Sequence, residues 1–239
     1  MATSGTTTFD LPIDEIIEEA FERTGMRGNR TGYQLKSARR SLNIMFSEWG
    51  NRGVHLWKEK QATIPLVEGQ AEYNFANDNT NFPTDISDVL EAFVRNNSTA
   101  TAPVDTTLTK IDRSAYAALA NKLSKGTPSQ YYVQRTVAPS IFLFQTPSSS
   151  FSGSNFQLKF FYVARIQDAG AYTNESDVVY RFIPCMTSGL SYYLSLKYSP
   201  ETAQGNKLIY EDEFKRALDE DGQRTSTFIT PQTFYGDRV

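Results

Sequence analysis

The chain carries one histidine, His55, and one cysteine, Cys185. A single imidazole cannot build a histidine-based metal site, and a single thiol supports neither an intrachain disulfide nor a cysteine cluster. No HExxH, GxSxG, GxGxxG or P-loop spacing occurs. Ser-His-Asp chemistry would have to run through His55, which stands beside Trp57. Glycoside hydrolysis needs two carboxylates bracketing the bond to be cut. Glu48 and Glu59 stand near an expected junction of modules, but their spacing alone assigns them no chemistry. The expectation is therefore no catalytic residue, no metal site and no cofactor. Cys185 falls inside a helical pattern and reads as a small buried apolar residue.

Two other groups of residues have the chemistry of binding. Arg23, Arg27, Arg30, Lys36, Arg39 and Arg40 form a basic run with no acid between its ends. Such a run can meet phosphates, an acidic partner or another subunit. It can equally be a solvated helical face that pairs with the acidic stretches Glu15–Glu22 or Glu211–Asp221. The second group is the tail Thr225–Val239, where Phe228, Ile229, Phe234 and Tyr235 stand among polar residues. Exposed aromatic side chains in a tail are unfavourable unless a partner or the chain's own surface covers them.

The elements that must position these groups follow from periodicity. Asp10 reads as a helix cap and Pro12 as a first-turn residue, before an apolar stripe of Ile13, Ile16, Ile17, Ala20 and Phe21. Gly25 ends this helix, and Thr31 caps a second that runs to about Trp49 along Leu35, Ala38, Leu42, Met45, Phe46 and Trp49. The short link between them reads as an antiparallel helix hairpin. Gly50 and Gly53 supply the turn, and both tryptophans are expected where a helical layer meets a β layer.

From Gln61 the period changes. Strands are expected at 61–67, 71–75, 89–95, 106–111, 130–136, 140–145 and 155–166, with Pro65 marking an edge strand. Asp112 caps a short helix over 113–119. Helical spacing returns at Val178, with Phe182, Met186, Gly189, Leu190, Tyr193, Leu194 and Lys197 on one face. A last helix, from Glu201 to about Arg224, presents Leu208, Phe214 and Leu218. The fold class is α+β, a helical bundle made from N- and C-terminal helix pairs, with an inserted β-rich module and an extended C-terminal tail. The segments are 1–60 and 176–224 for the bundle, 61–175 for the β module and 225–239 for the tail.

Composition sets outer bounds. The 239 residues suffice for a sizeable core, and 39% hydrophobic with 21% charged residues argues against bulk disorder. The aromatic share of 13% suits either a β-rich core or surfaces that meet partners. A net charge of -3 does not indicate a global electrostatic grip on DNA. No apolar run approaches the ~20 residues of a membrane span. Met1–Gly5 lacks a basic region followed by an apolar stretch, so no secretion signal is expected, and folding in a reducing aqueous compartment is.

Five stretches also carry a resemblance: Phe9–Gly25, Ala38–Lys60, Gly126–Arg135, Ala164–Gly170 and Val178–Glu201. In this order they resemble the head-to-tail adaptors (connectors or tail accessory factors) of short-tailed bacteriophages. They are similar to the tail accessory factor of P22-like phages and, more distantly, to the tubular tail protein of T7-like phages. The resemblance implies a structural, non-enzymatic virion protein at the head-tail junction, assembled in the host cytoplasm. It implies a ring of about twelve copies of this chain below the portal protein. The ring would extend the channel through which double-stranded DNA passes during ejection, without sequence-specific binding or membrane contact, and would dock a tail nozzle or other tail protein. It also implies that the tail, through Phe228, Ile229, Phe234 and Tyr235, engages the portal and neighbouring subunits. Alternatives are a cell-wall hydrolase using Glu48 or Glu59 and a host-glycan or receptor binder built on the β module.

Overall fold

A computed structural model describes residues 5, 11–26, 28–54, 56–75, 82–99 and 101–222. The chain is α+β. The first helix, α1 (Ile13–Arg23), buries Ile13, Ile16, Ile17, Ala20 and Phe21. Pro12 stands at its N-cap with extended backbone and provides no side-chain cap, so it lies before the first turn rather than inside it. The open N–H groups are met by another part of the chain. Ile13 donates to the Asn174 carbonyl and Asp14 to that of Tyr172, each at 3.0 Å. The cap assigned to Asp10 lies outside the described residues.

The second helix, α2 (Gly32–Asn51), begins with a capping box. Thr31 Oγ1 accepts from the Gln34 N–H at 3.3 Å, and the Thr31 N–H donates to Gln34 Oε1 at 2.9 Å. Gly50 remains helical; Gly53, at φ +80°, is the residue that lets the chain turn away. A short 3₁₀ turn, Leu56–Lys58, leads into the strands.

Among the described residues ten strands follow: β1 (Glu59–Leu66), β2 (Glu72–Asn74), β3 (Ile86–Asn96), β4 (Val104–Thr107), β5 (Thr109–Lys110), β6 (Lys125–Gly126), β7 (Gln130–Gln134), β8 (Ser140–Phe144), β9 (Thr146–Pro147) and β10 (Gly153–Ala164). The short helix α3 (Arg113–Ala118) lies between β5 and β6, its Ala115 N–H capped by Asp112 Oδ1 at 2.7 Å. One antiparallel sheet runs β1-β10-β3-β4, and a mixed sheet runs β2-β8-β7-β5, in which β5 pairs parallel with β7. Their inner faces share one core that includes Ile64, Val89, Leu158 and Phe160 from the first sheet and Tyr73, Tyr131, Ile141 and Leu143 from the second.

Pro65 does lie on an edge strand, β1. The turn at Glu68–Gln70 does not make a hairpin, since β1 and β2 belong to different sheets. The strand expected at 106–111 is two strands: buried Leu108 carries the chain from β4 in one sheet to β5 in the other. The chain leaves for the β module along β1 and returns along β10, and these strands pair antiparallel from Glu59↔Val163 onward.

The last two helices are α4 (Ile183–Tyr198) and α5 (Ala203–Asp221). α4 is the hub of the helical core. α1, α2 and α5 all pack on it, while α1 and α2 barely touch each other, so the expected helix hairpin is not the organising unit. A hub must be thin. Thr187, Ser188, Gly189, Ser191 and Ser195 are buried on faces where larger residues would hold the neighbours away. Their hydroxyls turn back onto the helix: Thr187 to the Ile183 carbonyl at 3.1 Å, Ser191 to that of Thr187 at 2.8 Å. A Cβ on Gly189 would stand 2.5 Å from Met45 Sδ and 2.8 Å from Tyr210 Cε2.

Two further expectations need correction. Trp49 is fully buried among Phe46, Phe182 and Phe214, and Trp57 packs on Phe182 at 4.7 Å. Trp49 therefore belongs to the interior of the helical core, whereas Trp57, in the turn that leads into β1 and contacts β10, packs on that core from the junction. On α5 the buried residues are Ala203, Tyr210, Phe214 and Ala217, whereas Leu208 is 63% exposed and faces outward.

Candidate functional site

The densest polar constellation lies where α2, α4 and α5 meet. Arg52, at the C-terminal end of α2, forms an ion pair through Nε with Glu48 at 2.9 Å and holds Glu211 of α5 in a two-pronged pair at 2.6 and 2.9 Å. Its guanidinium lies over the Phe214 ring at 4.6 Å and near that of Tyr210 at 5.4 Å. The Tyr193 hydroxyl of α4 donates to the other oxygen of Glu48 at 2.5 Å, and Trp49 Nε1 donates to the Tyr210 hydroxyl at 2.9 Å. The hydrogen bond from Arg52 holds Glu211 below the usual carboxylate range. Burial, then Glu48, pushes the Tyr193 phenol up, so it stays a neutral donor. This arrangement ties three helices together, and Glu48 has both oxygens engaged in it.

Two ion pairs fix the ends of the helical part. The Lys58 ammonium, 4% exposed, pairs with Asp177, and the same carboxylate oxygen accepts from the Gln167 N–H at 3.2 Å. The pair clasps the chain as it leaves for the β module to the segment by which it returns. Arg181 donates from Nε to Asp221 at 2.7 Å, and the Asp221 side chain is 3% exposed. The last residue of α5 is thus anchored to the turn before α4.

The residues of the basic run part company. Arg23 pairs with Glu19 one turn back at 2.8 Å. Arg30 donates to the Met26 carbonyl at 2.6 Å and covers the Phe21 ring at 4.7 Å. Arg39 donates to the Gly170 carbonyl at 2.9 Å and lies over Tyr172, holding the loop that caps α1. Arg27 lies outside the described residues. Lys36 and Arg40 are exposed, and neither meets a carboxylate among the described residues. The exchange between the run and the acidic helices is thus confined, among these residues, to Arg23 with Glu19 in α1 itself.

Lys36 and Arg40 belong to a stripe. Tyr33, Lys36, Arg40 and Ile44 recur at i, i+3, i+7 and i+11, on the face of α2 opposite Ala38, Leu42, Met45 and Trp49. Tyr33 is 74% and Ile44 52% exposed. Beside them Lys197 of α4 bonds to Ser37 Oγ at 3.0 Å and Ser41 Oγ at 2.6 Å; burial, then the Arg40 charge, lowers its pKa. The helical period of α2 contains this stripe on its outward side, where single apolar residues stand among charged ones.

A family model described as SU10 adaptor protein matches residues 34–233. The chain belongs to the SU10 adaptor protein family. The match runs from the first turn of α2 through both sheets and past the end of α5, and leaves α1 outside. No curated protein matches the chain. The resemblance to head-to-tail adaptors holds at the level of the family, which gives this adaptor a structural role in phage and a place in the virion.

The remaining site residues of the adaptor can now be placed. Phe228, Ile229, Phe234, Tyr235 and His55 lie outside the described residues. Glu59 is exposed on β1, where its backbone partner is Val163. Cys185 is buried, and burial raises its thiol pKa further from reactivity. Among the described residues, no group of three or more His, Cys, Asp or Glu is placed to hold a metal ion. No helix among them is long and apolar enough to cross a membrane.

Proposed function

We propose that this adaptor closes into a ring of twelve copies below the portal protein of a short-tailed phage, in the manner of the P22-like tail accessory factors it resembles. Family membership over residues 34–233 is the observation that supports this reading most directly. The helical part, 1–60 with 176–224, forms the ring, and the β module, 61–175, faces the tail nozzle or another tail protein. Double-stranded DNA passes through the channel without being read. The C-terminal tail runs from the anchored end of α5 to the portal and docks Phe228, Ile229, Phe234 and Tyr235. The Arg181–Asp221 pair supports this by giving the tail a fixed root.

The adaptor works by binding geometry and has no catalytic step. Of the two carboxylates a hydrolase reading would use, Glu48 is engaged by Arg52 and Tyr193, and Glu59 is exposed on β1. The test mixes purified protein with the portal ring of the same genome and images the product by electron microscopy. A second tier with the portal's rotational symmetry is expected. A bare portal with both proteins folded would overturn the reading.

A further inference from the structure

Two helical faces carry opposite charge that no ion pair among the described residues neutralises. On α1, Glu15, Glu18 and Glu22 recur at i, i+3 and i+7, all exposed and without a cationic partner among the described residues. On α2, Lys36 and Arg40 are exposed without a carboxylate, between exposed Tyr33 and Ile44. Both helices pack more closely on α4 than on each other, and Glu18 and Glu22 line a depression that Arg30 and Leu35 share. The spacing also matches. Lys36 to Arg40 and Glu18 to Glu22 are each four residues, about 6 Å along a helix.

We propose that the outward face of α2 docks on the acidic outward face of α1 in a second copy of this chain. The contact joins two different surfaces, the type that closes a ring when repeated. It rests on the ring reading above and adds the residues that meet. Lys36 and Arg40 face Glu15, Glu18 and Glu22 of the neighbour, while Tyr33 and Ile44 lose their exposure and supply the apolar part. Lys197, held beside Arg40 by Ser37 and Ser41, adds a third positive charge to the same face. The charges set register and partner choice more than affinity, and salt weakens them over a screening length of about 8 Å at physiological ionic strength.

The test uses two full-length variants, Lys36→Glu/Arg40→Glu and Glu18→Lys/Glu22→Lys. All four residues are exposed, and circular dichroism checks that each variant folds. Assembly is followed by mass photometry and electron microscopy, alone and on the portal ring. Each variant alone sets like charges against each other and should associate roughly tenfold or more weakly than the natural chain. An equimolar mixture restores opposite charges at every contact, because an even-numbered ring can alternate the two, and should assemble like the natural chain. Rings formed normally by each variant alone would overturn the assignment of these faces while leaving the ring in place. Absence of any ring from the natural chain on the portal would overturn the ring reading and this contact together. Loss of DNA association with unchanged assembly in Lys36→Glu/Arg40→Glu would assign the face to phosphate and overturn the proposal.

Discussion

Arg52 is the side chain on which the helical core depends most for its polar order. Glu211 is held below its unfolded value, about 4.3 for a free glutamate, by its hydrogen bond from Arg52. A depressed carboxylate contributes fully above its unfolded pKa and loses that contribution as pH falls through its folded value. Arg52 stays charged throughout, so the loss occurs on the acid side only. Arg52→Met should destabilise the protein by about 1–2 kcal/mol at neutral pH, less than a fully buried pair would, because water reaches both groups. It should also flatten the acid limb. Urea denaturation at several pH values between about 3 and 7 measures both, and parallel acid limbs in the two proteins would refute the assignment. Gly189 makes a different demand, for space. Gly189→Ala places a methyl against Met45 and Tyr210 and should lower stability by about 1–3 kcal/mol, read as a drop in Tm.

Among the elements, those with a local cause were legible in the sequence. The Thr31 box, the Asp112 cap, the Pro65 edge and the alternation of β10 each follow from a few neighbouring residues. Features set by distant partners were not. α4 reads as one-faced because its serines, threonine and glycine look like polar filling, whereas three helices crowd them. Leu208 fits the inward period of α5 only by its type, and the start of α1 is satisfied by carbonyls some 160 residues away in sequence. The candidate site shows the same division. The basic run is plain in the sequence, but only packing reveals that Arg30 and Arg39 serve the fold while Lys36 and Arg40 face outward. The Lys58–Asp177 clasp was equally invisible, since its members are 119 residues apart. Asp177→Ala strands a buried ammonium and should cost about 3 kcal/mol, most of which Lys58→Met/Asp177→Leu should recover. A double-mutant cycle by chemical denaturation measures the coupling, and additive losses would mean that the pair is idle.

For the whole molecule, the proposed function assigns folding and attachment to different segments. The described core is complete at Asp221, where Arg181 holds the end of α5. Removal of residues 225–239 should therefore leave Tm unchanged and abolish portal binding. Normal portal binding by the shortened chain, measured by co-sedimentation, would exclude the tail as the docking segment.

The pairing of Glu59 with Val163 reaches further. The chain departs from and returns to the helical part within one strand spacing, about 5 Å. Changes in the parts of the module that lie away from α2 need not move α2 relative to α4, whereas Ser87 and Arg135 share a depression with α2. Descendants of one such ancestor could then retain their self-contacts while acquiring new tail partners, and an engineer could graft a foreign sheet across the same two positions.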